Sequence, residues 1–206
     1  MRFTVPNQLT LLRMFLTPCF LILFTKKTPS HQLAASVVFL IASLTDWYDG
    51  WYARKYHVTT RWGQFMDPLA DKILVSSALI VFAFHDIIPD WMVWTFVIRD
   101  FLVTTIRLYA LYMGTPIVTH ILAKWKTAFQ MATIFLILIF INVRNYLIPN
   151  PSTYLTGFEM VIGVAMWTVT LLTISSGLIY LYENRELVGN LLRQLSHLLL
   201  FDKRKL

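Results

Sequence analysis

Asp46 to Asp71 reads DWYDGWYARKYHVTTRWGQFMDPLAD, which can be written D-x2-D-G-x2-A-R-x8-G-x3-D-x3-D. At about 100° of rotation per helical residue, Asp46, Asp49, Gly50 and Ala53 fall within an arc of about 100° on one helix. Gly63, Asp67 and Asp71 fall within about 80° on the next. Each carboxylate pair therefore shares a helix face with small residues that let another backbone come close. A turn of six to eight residues joins the two helices, so they are antiparallel neighbours whose faces can meet. Four carboxylates then converge on one spot.

The rest of the chain says where that spot lies. Of 206 residues, 57% are hydrophobic and only 14% are charged, against about 25% charged in soluble domains. Six stretches approach the roughly 20 apolar residues that cross a bilayer: Gln8 to Phe24, Leu33 to Tyr56, Gly63 to Phe84, Trp91 to Met113, Trp125 to Val143 and Tyr154 to Tyr182. The expected fold is all-α, a polytopic bundle of six transmembrane helices, with residues 1–206 forming a single domain. Turn signals at Thr28-Pro29-Ser30, Pro89-Asp90, Gly114-Thr115-Pro116 and Pro149-Asn150-Pro151 separate the segments. Arg13 sits mid-segment in the first stretch and no small-x-small cleavage site is evident, so that stretch is read as a retained helix. No transit peptide is visible, which fits a bacterial plasma membrane. The single cysteine, Cys19, excludes an internal disulfide.

Charge sets the orientation. With a cytoplasmic N-terminus, Arg2, Arg54, Lys55, Arg61, Lys124, Lys126, Arg185, Arg193, Lys203, Arg204 and Lys205 share one side. Lys26, Lys27 and Arg144 fall on the other, and eleven against three obeys the positive-inside rule. Both termini are expected in the cytoplasm. Leu187, Leu191, Leu195 and Leu198 recur at helical spacing within the segment 186–206. That segment either lies on the anionic membrane surface or packs on the bundle. Met1 to Thr10 is expected as a second interfacial segment.

Depth follows from helix rise. Leu33 to Thr45 spans about 20 Å and Ile73 to Phe84 about 18 Å at 1.5 Å per residue, against a hydrocarbon core of about 30 Å. Asp46 and Asp71 should thus sit at similar depth, inside the membrane near its cytoplasmic face. Four acids repelling one another there are costly. Divalent cations offset that cost, and hard ions such as Mg²⁺ or Mn²⁺ prefer oxygen ligands. Two such ions suit four carboxylates. The competing arrangement pairs the acids with Arg54, Lys55, Arg61 and Lys72 in a solvated loop, but the paired helical register with interleaved Gly and Ala argues against it. A cation transporter would also use intramembrane carboxylates; the expected symmetric pair of broken half-helices is missing from the sequence.

With every signature position filled, the Asp46–Asp71 stretch resembles the CDP-alcohol phosphatidyltransferases. The resemblance implies a six-helix fold, a homodimer, and displacement of CMP from a CDP-linked lipid by a hydroxyl acceptor. It implies that Asp46, Asp49 and Asp67 ligate metal, with Asp71 at the metal and acting as general base. It also places Gly50, Ala53 and Arg54 along the CDP moiety, bordered by Asp46, Asp49, Gly63 and Asp67. Pro6 to Arg13, Phe65 to Lys72, Arg99-Asp100, Arg107, Lys124 to Thr127 and Gln130 resemble the members that use glycerol 3-phosphate as acceptor. Two positions depart: Asp100 stands where Glu is expected, and Ala123 where Gly is usual.

Independently of that likeness, Arg107, Lys124 and Lys126 lie near the expected cytoplasmic ends of the fourth and fifth helices, and a phosphate-bearing acceptor would suit them. Arg99 is a further candidate, able to pair with Asp100 or an active-site acid. The expected partners are CDP-diacylglycerol, glycerol 3-phosphate and membrane lipids, with no nucleic acid. Phosphatidylglycerol, inositol phosphate and serine are the alternative acceptors. Trp47, Tyr48, Trp51, Tyr52 and Trp62 flank the motif and are expected as interfacial anchors.

Overall fold

A computed structural model describes residues 5–56, 61–115, 121–147, 155–191 and 193, without the side chains of Arg54, Arg61, Trp62, Gln64, Leu155 and Thr156. The described backbone forms six long helices: α1 (Val5–Thr25), α2 (Pro29–Tyr56), α3 (Arg61–Phe84), α4 (Asp90–Met113), α5 (Ile121–Tyr146) and α6 (Leu155–Glu183). A further helical stretch covers 185–191. Expected and observed helix limits differ by at most four residues, the largest gaps being 33 against 29 and 125 against 121. Because α3 starts at Arg61, four residues (57–60) separate it from α2 rather than six to eight. Those four lie outside the described residues.

Local chemistry sets the helix ends. Pro29 opens α2, where its missing N–H costs nothing. α4 ends in a Schellman motif: Gly114 takes φ 66°, its N–H bonds to the Leu111 carbonyl, and the Thr115 N–H bonds to the Ala110 carbonyl. Serine and threonine hydroxyls inside the helices mostly donate to the carbonyl four residues back, as at Thr170, Thr173 and Ser175. Polar groups are thereby satisfied within their own helix.

Helix α1 packs on α2 and α3, α3 on α4, α4 on α6, and α5 on both α2 and α6. The large apolar core occupies one half of this bundle. It is built from Phe20 and Phe24 late in α1, Phe39 early in α2, Phe82 late in α3, Phe96 early in α4 and Ile134 to Ile141 in α5. Rings mesh at 5.7 Å (Phe20–Phe24), 5.4 Å (Phe20–Phe39) and 5.3 Å (Phe24–Phe82). The polar halves of the same helices gather at the other end.

The outer surface is apolar. Phe15, Phe84, Tyr112 and Met160 are each more than two-thirds exposed, and Ile22, Ile98, Phe101, Ile139, Val164, Leu171 and Leu178 also point outward. A soluble monomer does not carry an apolar surface of this extent; a bilayer satisfies it. Among the described residues, three helices are long and apolar enough to cross a membrane on length and composition: Val5–Thr25, Ile121–Tyr146 and the 157–183 part of α6. The other three carry most of the buried or half-buried acids, which lowers their hydropathy. Trp47, Tyr48 and Trp51 lie exposed on α2, with Lys55 Nζ 4.5 Å from the Trp51 ring, as interfacial anchors would.

Two sequence expectations are modified. Residues 5–10 are the first turns of α1, with Asn7 and Thr10 buried in the bundle, whereas Met1–Thr4 fall outside the described set. In the C-terminal segment, Leu187 and Val188 pack against Val103, Ile106 and Tyr180, favouring contact with the bundle over free surface contact for those residues. Most of 192–206 lies outside the described residues.

An added Cβ at Gly114 would meet nothing within 4 Å, so substitution there costs only backbone strain. Gly114→Ala should lower unfolding stability by about 1 kcal/mol, measured by chemical denaturation in detergent micelles.

Candidate active site

The buried face of α1 carries Thr10 and Arg13 one turn apart. Arg13 is fully buried, and its two terminal nitrogens go to two carboxylates on α2. Nη1 lies 2.7 Å from Asp46 Oδ1, and Nη2 donates to Asp49 Oδ2. Thr10 Oγ1 lies 2.5 Å from Asp67 Oδ1 on α3. Asp71, one turn beyond Asp67, pairs with Lys72 at 3.0 Å. One helix thus touches three of the four signature acids, and the fourth has its own lysine.

The four acids are neighbours, as the helix faces required. Asp46 lies within electrostatic reach of Asp67 and Asp71, and Asp49 within reach of Asp46 and Asp67. Asp49 is buried, whereas the Asp46 side chain is 45% exposed and that of Asp71 25%. One edge of the cluster is therefore open to a ligand. Among the described residues, no three acidic, histidine or cysteine side chains already form a closed metal cage. The donors are gathered but held by Arg13, Thr10 and Lys72.

A second cluster adjoins the first through Lys72. Asp100 of α4 is buried and accepts from Lys126 of α5 at 2.5 Å and from Arg99 at 3.0 Å. Lys72 Nζ lies 3.8 Å from its other oxygen. Arg99 also donates to Ser176 Oγ on α6 at 3.0 Å. Gly177 makes room for this arginine, since a Cβ there would stand 3.1 Å from Arg99 Cγ. Arg107 lies beside the buried Tyr180 ring on α6, and Arg99 is close enough to act on the same hydroxyl electrostatically.

The structure therefore sorts the sequence candidates. Asp46, Asp49, Asp67 and Asp71 come together, with Gly50, Ala53 and Gly63 on the two helices that carry them. The Arg54 side chain lies outside the described set. Lys126 and Arg99 join the Asp100 cluster, with Arg107 nearby. Lys124 does not, because two residues along a helix is about 200° around it, and it is exposed where Lys126 is buried. Thr10 and Arg13 had no site role assigned from the sequence, and Lys72 was expected only as a partner of the acids in the competing solvated-loop arrangement. The signal for Arg13 was present, since a charge inside an apolar helix needs a partner, but its partner could not be read.

Charge is polarised across the site. Among the described side chains, four carboxylates on α2 and α3 face Arg13, Lys72 bridges from Asp71 to Asp100, and Arg99, Arg107 and Lys126 gather around Asp100 and Tyr180 on the other side. Such a pair of surfaces suits hard cations on one side and an anionic group on the other.

The match to known proteins fits this geometry. Residues 3–179 match the family model described as CDP-alcohol phosphatidyltransferase. The chain belongs to this family. It is 37% identical over 196 residues to the CDP-diacylglycerol--glycerol-3-phosphate 3-phosphatidyltransferase of Bacillus subtilis (strain 168), covering 89% of this chain and 96% of that enzyme. It is 33% identical over 140 residues to the enzyme of that name in Escherichia coli (strain K12), covering 65% of this chain and 76% of the relative. The same figures hold for the enzyme of Shigella flexneri serotype 5b (strain 8401). The chain is accordingly an enzyme of this class.

Removing Asp100 would leave Lys126, Arg99 and Lys72 around an empty centre. Asp100→Ala should cost about 3–5 kcal/mol of stability, and adding Lys126→Met should recover part of it. Unfolding of the single and double variants in detergent checks the coupling.

Proposed function

We propose that this chain transfers the phosphatidyl group of CDP-diacylglycerol to glycerol 3-phosphate, giving phosphatidylglycerophosphate and CMP. The observation that carries the reading is the polarised site: four carboxylates on α2 and α3 beside a buried Lys126–Asp100–Arg99 cluster. The names of the Bacillus and Escherichia relatives support the same donor and acceptor.

Two divalent ions, Mg²⁺ or Mn²⁺, fit the donor set, because it is all carboxylate oxygen and carries more negative charge than Arg13 and Lys72 together balance. Asp46, Asp49, Asp67 and Asp71 would hold them. When bound, they neutralise pyrophosphate charge and make the acceptor hydroxyl more acidic. The chain's own residues supply position and proton transfer. Gly50, Ala53 and Gly63 leave space for the cytidine diphosphate to lie against α2 and α3, and Arg54 counters its charge. Lys126, Arg99 and Arg107 attract the acceptor phosphate and orient the glycerol hydroxyl towards the phosphatidyl phosphorus. As the new P–O bond forms and the bond to CMP breaks, Asp71 takes the hydroxyl proton. A carboxylate is a weak base for an alcohol, so that proton moves late in the attack. Lys72, bonded to Asp71 and close to Asp100, keeps the base pointed at the acceptor side.

In this reading all six helices cross a bacterial plasma membrane with both termini cytoplasmic, and the chain works as a homodimer. The distribution of Lys and Arg supports the orientation. Acyl tails then stay in the bilayer while cytidine and acceptor enter from water.

Purified enzyme should release CMP from radiolabelled CDP-diacylglycerol with glycerol 3-phosphate, lose that activity with a chelator, and regain it with Mg²⁺ or Mn²⁺. Equal CMP release with serine or inositol phosphate would remove the acceptor assignment. Asp71→Asn should lower kcat by about 10²–10⁴-fold, and near wild-type turnover would remove the base assignment. Lys126→Met should raise the KM for glycerol 3-phosphate more than that for CDP-diacylglycerol, measured by steady-state kinetics in mixed micelles.

A further inference from the structure

Arg13 heads the large, fully buried side chains among the described residues, and the chemistry above gives it no task. Its two terminal nitrogens bind acids one helical turn apart, using one oxygen of each: Oδ1 of Asp46 and Oδ2 of Asp49. The second oxygen of each carboxylate remains for another ligand. Asp67 also lies within its electrostatic reach. Nη2 donates a hydrogen bond to Asp49, Nη1 meets Asp46 as an ion pair without hydrogen-bond geometry, and Nε has no hydrogen-bond partner, so the group is anchored through these two carboxylates. Thr10, on the same face of α1, holds Asp67 in parallel.

We propose that Arg13 is the resident counter-ion of the metal site, holding Asp46 and Asp49 in register without metal and weakening divalent-cation binding by its charge. The inference rests on the metal reading of the four aspartates. A guanidinium is well suited to this role, being always charged and able to fork between two carboxylates. The same physics sets the size of the effect. A cation at about 4–6 Å lowers a carboxylate's proton affinity by roughly one to three logarithmic units, and it acts against a metal ion in the same direction. Arg13 therefore keeps the empty site from collapsing by repulsion while preventing it from trapping metal too tightly.

The test uses the full chain in detergent micelles with Mn²⁺ alone as probe, following free Mn²⁺ by electron paramagnetic resonance and Tm by intrinsic fluorescence. Arg13→Gln should lower Tm in chelator, show a larger Tm gain on adding Mn²⁺, and tighten Mn²⁺ binding by about tenfold or more. A folded Arg13→Gln with unchanged or weaker Mn²⁺ affinity overturns the inference. Should Arg13→Gln fail to fold, Arg13→Lys decides. It keeps the charge and loses the fork, so Mn²⁺ affinity should stay at the wild-type value while the chelator Tm falls; tightened binding in Arg13→Lys overturns the charge argument. Thr17→Val, on the same buried face but bonded only to the Arg13 carbonyl, should leave Mn²⁺ affinity unchanged. Wild-type protein that binds no Mn²⁺ defeats the metal reading itself, and the Arg13 inference with it.

Discussion

A guanidinium buried between two carboxylates fixes the geometry on which the rest of this site depends. Arg13 lies inside the bundle without solvent contact, where an unpaired charge would cost several kcal/mol. Asp46 and Asp49 have the reciprocal problem, since each repels the other and the pair on α3. Bringing α1 against α2 relieves both costs at once. Thr10 extends the same contact to α3, so a single face of α1 sets the spacing between the two acid-bearing helices.

From that contact the division of the bundle into two halves follows. Consecutive helices run in opposite directions, so the start of α1, the end of α2 and the start of α3 meet at one end. The middle of α4 and the start of α5 supply the cations beside them, and the end of α6 packs Ser176 and Tyr180 against the α4 arginines. The remaining halves carry phenylalanine, isoleucine and leucine and form the close-packed core. Charged groups are therefore collected where they compensate one another, and the apolar half holds them rigidly in place.

The two charged clusters are joined through Lys72, which reaches both Asp71 and Asp100. A carboxylate on α3 is thereby linked to cations from α4 and α5. On the proposed reading, a reaction between an anionic lipid donor and an anionic acceptor would use the two clusters separately, one for cations and one for phosphate. The exposed apolar side chains around the helices leave the lipid tails in the environment they already occupy.

The six-helix pattern, the convergence of four aspartates and the family were legible in the sequence, because each rests on local periodicity or fixed spacing. Asp46 and Asp49 lie three residues apart, so any helix brings them to one face, as it does Asp67 and Asp71. The Arg99–Asp100 pair was legible, but the interhelical roles of Arg13, Thr10 and Asp100 were not. Their partners lie 36, 57 and 26 residues away, and no helical period relates positions on different helices. Lys124 and Lys126 show the same limit from the other side, being adjacent in composition yet divided by rotation around α5. The sequence by itself determined the six helices and which carboxylates share a helix face. Only the tertiary structure decided which faces meet, because buried charges choose their partners by the packing of whole helices.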